Sequence, residues 1–245
     1  MEREDIRTQL KALRLLETEK LLDHILERSG KENLSYEDFL SEILTREMDS
    51  KTGKKVERLL KESHLDLRKT IESFDQKRLN QRLLGQVKNL LRGDFLKRRE
   101  NVLAFGNPGS GKTHLLSGIA QDLNRKEHRV LFHTCEEWVE LLLHEKANLN
   151  LSAYLKKLDK FALIFIDDIG YVQKTREEME VLFSLLAYRY ERGSVMITSN
   201  LMFSQWEQIF KDPMTTVAVV DRVVHHSVIL DMNLPSYRAE EANEE

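Results

Sequence analysis

Hydrophobic positions follow two rhythms, one on each side of residue 100. In the first part Leu10, Leu13, Leu16, Leu21, Leu22 and Ile25 recur at three- and four-residue steps, the spacing that gathers apolar side chains on one face of an α-helix. No proline precedes Pro108, so nothing in this part forbids helix. Ser35 and Asp38 form a capping-box pattern that opens a second helix through about Met48, and Lys51-Thr52-Gly53 punctuates before a third through His64. After residue 100 the pattern becomes short β-rich runs at 101–105, 129–134, 161–167, 194–200 and 227–232, separated by helical stretches. A strand as continuously apolar as Ala162-Leu163-Ile164-Phe165-Ile166 must be covered on both faces. The expected class is therefore α/β, a five-stranded parallel sheet between helices, preceded by a small all-α domain. The expected division is a helical domain at 1–68, a linker and helix at 69–100, the α/β core at 101–238 and an acidic tail at 239–245.

Composition narrows the class further. At 245 residues, 41% hydrophobic and 32% charged, with ten glycines and three prolines, the chain is neither low-complexity nor collagen-like. Its apolar runs stop short of the roughly twenty residues of a membrane helix, and its first residues lack an apolar signal core. A cytoplasmic protein with no membrane partner is expected. The single cysteine, Cys135, makes no internal disulfide and completes no cysteine-based zinc site. Cys135 and Trp138 read as fillers, and His225-His226 as a helix end rather than a metal site.

Charge is segregated. Residues 1–50 carry eight Lys or Arg against thirteen Asp or Glu, a net of −5, whereas residues 51–99 carry fifteen against six, a net of +9. This exceeds a solubility balance and points to phosphate-backbone contact with duplex DNA, with Lys54, Lys55, Arg58, Lys61, Arg68, Lys69, Lys77, Arg78 and Arg82 as candidates. The bland alternative is a solvated helix surface. Few aromatics interrupt the stretch, which disfavours stacking on single-strand bases.

Gly106-Asn107-Pro108-Gly109-Ser110-Gly111-Lys112-Thr113 matches the phosphate-binding loop pattern between a strand and a helix beginning near His114. Backbone amides and the helix N-terminus would face the phosphates, Lys112 would reach the β and γ oxygens, and the Thr113 hydroxyl would ligate Mg²⁺. The buried third strand ends in Asp167-Asp168. Asp167 suits the metal and Asp168 suits the attacking water. Asn200, at the exit of the fourth strand, could position that water. Arg222 and Arg238 are candidate sensors of the γ-phosphate, and an arginine from a neighbouring subunit would tie hydrolysis to assembly.

With these elements in this order, the sequence resembles the IstB-like branch of the AAA+ ATPases, relatives of the DnaC and DnaI helicase loaders. The likeness includes the Leu-rich opening, Thr70-Ile71-Glu72-Ser73-Phe74-Asp75, Thr198-Ser199-Asn200 and Asp221-Arg222-Val223-Val224-His225-His226. The resemblance implies an AAA+ core without a complete C-terminal lid, using ATP and Mg²⁺. It also implies a transposition helper that assembles as a homo-oligomer on duplex DNA and stimulates a cognate transposase. It makes Asn200 a sensor-one residue, Arg222 a trans-acting arginine finger and Arg238 a sensor-two arginine. Asp168 departs from the Glu of many AAA+ members, from which slow hydrolysis is expected. A helicase loader gripping a protein with its first domain is the main alternative, and a small-molecule kinase a third.

Overall fold

The computed structural model describes residues 3–170, 175–210 and 212–237, and the chain divides into two compact units, Met1–Arg58 and Leu59–Glu245. The leucine rhythm of the first unit resolves into α1 (Arg3–Ala12), α2 (Leu16–Glu32) and α3 (Tyr36–Glu62). Arg14, in the left-handed region at φ 57°, turns the chain between α1 and α2, and Leu22 and Ile25 of α2 are buried.

The N-terminus of α2 has no side-chain cap of its own. The buried Glu47 of α3 supplies one, accepting from the backbone N–H of Glu17 (3.0 Å) and Thr18 (2.9 Å) and from the Thr18 hydroxyl (3.2 Å). A carboxylate here answers both the orphan donors and the positive end of the helix dipole. Burial pushes the Glu47 carboxyl upward, but the donors from Thr18 and Glu17 prevail and hold it below the usual range.

Ser35 caps α3 as its spacing predicts, its Oγ accepting from Asp38 N at 3.1 Å. The break expected at Lys51-Thr52-Gly53 does not occur. The helix runs on through Gly53 to Glu62, because one glycine costs a helix only about 1 kcal/mol and the flanking Lys, Glu, Arg and Leu residues are good helix formers.

The second unit holds α4 (Gln81–Leu91), α5 (Asp94–Lys97), β1 (Asn101–Phe105), α6 (Lys112–Arg125), β2 (Val130–Thr134), α7 (Cys135–Ala147), α8 (Leu151–Lys157), β3 (Leu163–Ile169), α9 (Arg176–Arg189), β4 (Ser194–Ser199), α10 (Glu207–Phe210), α11 (Pro213–Val224) and β5 (Ser227–Asp231). Among the described residues the strands form one parallel sheet in the order β2-β3-β4-β1-β5.

Alternation along the strands assigns each face. Leu103, Phe105, Ile164 and Ile166 pack with Trp138, Leu142, Leu182, Leu185 and Val219 from α7, α9 and α11. Val102, Ala104, Leu163 and Phe165 pack with Leu83, Val87, Leu115, Ile119 and Leu123 from α4 and α6. Cys135 and Trp138 are core residues, the Trp138 indole donating to Phe165 O at 3.0 Å.

Two features set the ends of the sheet. At the N-terminal ends of β3 and β4 the buried Arg189 donates to the carbonyls of Leu158, Phe161, Ala162 and Ser194 at 3.1–3.3 Å, and burial pushes its guanidinium down to about 10. Near the other end β3 carries a bulge. Its register with β4 runs regularly to Ile166 opposite Ile197 and resumes at Ile169 opposite Ser199. The helix end expected at His225-His226 is present, α11 stopping at Val224 with His225 as its cap. The two rings do not point apart as helix neighbours would, because the chain leaves the helix there; they meet edge to face at 4.4 Å.

The continuity of α3 has a direct test. An added methyl at Gly53 meets nothing within 4 Å among the described residues, so Gly53→Ala is expected to raise stability by about 0.5–1 kcal/mol, seen as a higher midpoint in urea unfolding followed by circular dichroism.

Candidate functional site

β1 delivers the chain to residues 106–111, and α6 begins at Lys112 directly after them. Gly111, the N-cap of α6, sits at φ +88°, and a Cβ there would lie 2.8 Å from the Phe74 ring. A side chain at this position would meet both backbone strain and collision. Lys112 is nearly buried, its Nζ donating to Gly106 O at 2.8 Å and Asn107 O at 2.9 Å. The ammonium thus lies across its own loop.

The sheet brings the carboxylates to the same edge. Thr113 Oγ1 donates to Asp167 Oδ1 at 2.8 Å, and Thr198 Oγ1 donates to the same oxygen at 2.5 Å. Asp168 N donates to Thr198 Oγ1 at 2.7 Å. A cavity of about 430 Å³ opens here, lined by Pro108, Gly109, Gly111, Lys112, Thr113, His114, Asp168 and Asn200, together with Lys69, Ser73, Asp75 and Tyr237.

This arrangement fits a nucleoside triphosphate with Mg²⁺. Ser110 Oγ and Asn200 Oδ1 are buried without a hydrogen-bond partner among the described residues, polar atoms that a ligand would satisfy. Thr113 and Asp167 form a hard oxygen pair of the kind Mg²⁺ takes, and the start of α6 offers backbone donors to phosphate.

Residues 70–75 form a strap across α6. His114 Nε2 lies 2.9 Å from Ser73 Oγ and 3.1 Å from Thr70 O, and its ring meets Phe74 edge-on at 5.5 Å. The strap passes so close to α6 that a Cβ on Gly118 would lie 2.7 Å from Ile71 N and 2.9 Å from Thr70 C.

Arg222 lies elsewhere. On α11, its Nη1 donates to Ala218 O at 2.9 Å and its guanidinium sits 5.7 Å from the Phe183 ring. It lines a separate cavity of about 290 Å³ with Arg98, Arg99, Asn101, Arg189 and His226. Asn101 opens β1, whereas the phosphate loop follows the end of that strand. Arg222 and Lys112 of one chain therefore occupy opposite edges of the sheet. Arg238 lies outside the described residues.

The basic candidates divide as well. Lys54, Lys55, Arg58 and Lys61 lie exposed along the second half of α3, and Lys77 and Arg82 are also exposed. Arg68 is exposed and pairs with Asp66 at 3.0 Å. Lys69 lines the cavity beside the phosphate loop. Arg78 stacks over the Tyr237 ring, 3.7 Å from its centroid, and donates to Pro235 O at 2.5 Å.

Comparison with known proteins agrees with this geometry. The family model described as IstB-like ATP binding protein matches residues 8–245. The chain belongs to this family. It is 40% identical over 236 residues to an insertion-sequence ATP-binding protein of Sinorhizobium fredii, covering 96% of this chain and 79% of that one. It is 34% identical to the IS21 ATP-binding protein of Pseudomonas aeruginosa, covering 90% and 83%. In fold, the IstB-like chain is similar to AMPPCP-bound DnaA of Aquifex aeolicus, with TM-score 0.59 at 16% identity over 75% of this chain and 57% of that one. It is also similar to the DnaC helicase loader, with TM-score 0.55 at 18% identity over 67% and 97%. The core is an AAA+ P-loop fold.

The sequence carries no signal for Thr198 as a bridge between the two acids, nor for Lys69, Ser73, Asp75 and Tyr237 as cavity walls. Thr198 stands in a motif only through Asn200, and the strap is distant in sequence from the loop it covers. Among the described residues of this IstB-like protein, no helix is long and apolar enough to cross a membrane.

The strap yields a prediction. Gly118→Ala must push backbone away from backbone, so a loss of about 1–3 kcal/mol is expected, together with weaker binding of a fluorescent ATP analogue. Urea unfolding and nucleotide titration measure the two effects.

Proposed function

We propose that this protein is an ATP-dependent DNA-binding helper of transposition. It works in the cytoplasm, oligomerises on duplex target DNA, remodels or selects that DNA and stimulates the transposase of its own element. The observation that carries this reading is the separation of Arg222 from Lys112 on opposite sheet edges. Each chain holds a phosphate loop at one edge and a guanidinium at the other, an arrangement suited to head-to-tail stacking. A heterologous contact of this kind builds a ring or a helix. The insertion-sequence names of the relatives support transposition over helicase loading, and the likeness to DnaC is one of fold alone.

In this reading Lys112 leaves its own loop carbonyls to reach the β and γ oxygens of ATP. Thr113 and Asp167 hold Mg²⁺, which when bound neutralises phosphate charge. Asp168 accepts a proton from the attacking water and Asn200 fixes the water's position. The neighbour's Arg222 neutralises charge that builds on the transferred group, so a chain outside an assembly hydrolyses little. Asp168 reaches one methylene less far than Glu, which keeps turnover slow and makes ATP chiefly an assembly switch. Exposed lysines and arginines of α3 and beyond, Lys54, Lys55, Arg58, Lys61, Arg68, Lys77 and Arg82 among them, supply phosphate contacts to duplex DNA. Lys69 and Arg78 belong to that set only if they leave the cavity and Tyr237.

Two experiments test the reading. Arg222→Ala and Lys112→Ala are each expected to lose ATP hydrolysis, Arg222→Ala while still binding ATP, and mixing the two is expected to restore part of the activity through hybrid interfaces. Normal hydrolysis by Arg222→Ala alone rejects the shared site. Light scattering with duplex DNA is expected to give large assemblies with ATP or a non-hydrolysable analogue and not with ADP; a monomer that ignores duplex would favour the loader reading.

Duplex affinity should also fall steeply with salt. Replacing Lys54 and Lys55 by Gln should lower the slope of log affinity against log salt by about one for each phosphate that a removed ammonium had neutralised, and an unchanged slope removes those two residues from the interface.

A further inference from the structure

The bulge in β3 sets two residues, Asp167 and Asp168, against one residue of β4, Thr198. In a regular strand consecutive side chains point to opposite faces, so adjacent acids could not both address the phosphate loop. Here they do. Asp167 accepts from Thr113 of the loop, and Asp168 lines the cavity. The extra residue reverses the alternation, and Asp168 takes the left-handed conformation at φ 64° to make this possible. Asp tolerates that region better than longer side chains do.

A bulge takes a backbone N–H out of the ladder. The N–H of Asp168 donates instead to Thr198 Oγ1 at 2.7 Å, while the proton of that hydroxyl goes to Asp167 Oδ1 at 2.5 Å. Thr198 is 1% exposed, so water cannot replace either bond. Its neighbour Ser199 secures the far side of the bulge, its Oγ 2.8 Å from Ile169 O and accepting from Leu201 N at 3.0 Å. Asn200 follows one residue later, its buried Oδ1 unpartnered among the described residues.

The geometry points to Thr198 as a positioning residue for the hydrolytic site, one hydroxyl that fixes the metal-side carboxylate of Asp167 and, through the Asp168 N–H, the backbone that carries the water-side Asp168. Thr113 also donates to Asp167 Oδ1, but its hydroxyl is the group that turns to Mg²⁺ in the reading above. Thr198 then remains as the protein's donor to that oxygen. Because Thr198 and Asn200 leave the same strand two residues apart, displacement of Asn200 by a γ-phosphate pulls on the segment that sets both acids. This inference rests on the ATPase reading of the site.

Thr198→Val keeps the β-branched shape and removes the hydroxyl; Thr198→Ser keeps the hydroxyl. The test titrates a fluorescent ATP analogue without metal and then with increasing Mg²⁺, follows Mn²⁺ binding to the nucleotide complex by electron paramagnetic resonance, and measures hydrolysis on the same preparations. For Thr198→Val, metal-free nucleotide affinity is expected within about threefold of the parent. The metal concentration at half-saturation should rise about tenfold or more, and kcat should fall about tenfold or more with little change in KM. Thr198→Ser should recover most of each loss.

Metal affinity unchanged in Thr198→Val, or Val and Ser equally impaired with equal thermal destabilisation, overturns the assignment in favour of a packing role. Should Thr198→Val fail to fold, Thr198→Ala against Thr198→Ser reads the same contrast. If the parent binds nucleotide and metal but hydrolyses nothing in any assembly, the ATPase reading fails while the metal titration still decides the role of Thr198.

Discussion

Covering both faces of a parallel sheet forces its polar chemistry to the strand ends, and the C-terminal edge of this sheet is organised around a single buried carboxylate oxygen. Asp167 Oδ1 accepts two hydroxyl protons, from Thr113 on α6 and from Thr198 on β4. That oxygen joins the helix of the phosphate loop to two neighbouring strands. A buried carboxylate left without donors would be costly, so the position of Asp167 specifies what stands on either side of it. The loop after β1, the bulge in β3 and the exit of β4 are thus parts of one arrangement.

A second constraint comes from the strap at residues 70–75. It crosses α6 at Gly118 with no room for a methyl group, touches His114, and seats Phe74 against Gly111. The cavity is in consequence walled by both the phosphate loop and the chain that leads toward the core, beside Asp168 and Asn200 at the sheet edge. Ligand entering it would press on both. Tyr237 completes the enclosure, held by the guanidinium of Arg78 across its ring and by the bond from its N–H to Gly109 O at 3.0 Å.

Much of this architecture is legible in the order of residues alone. The strands are readable because full burial leaves long apolar runs, and the loop and Asp167-Asp168 because their chemistry is written in adjacent residues. The continuity of α3 is easily misread because Gly53 looks like punctuation, although its cost to a long helix is small. Thr198 and the strap are not legible as site components, since their roles arise from approaches between segments far apart in sequence. The left-handed Asp168 is hidden for a related reason: a bulge is a relation between two strands, and one strand alone carries no trace of it. Charge counting gathers the basic residues as a group but cannot separate exposed Lys77 from Arg78, which is occupied by an aromatic ring.

Arg189 gives the sheet a mechanical asymmetry. Its guanidinium staples four carbonyls around the entries of β3 and β4, a set of charge-assisted bonds in a dry setting that leaves those entries little freedom. At the far ends of the same strands the ladder is interrupted by the bulge, and the hydroxyls of Thr198 and Ser199 complete the links. The two ends of these strands are thus held by different chemistry, a buried cation at the entries and neutral hydroxyls at the exits.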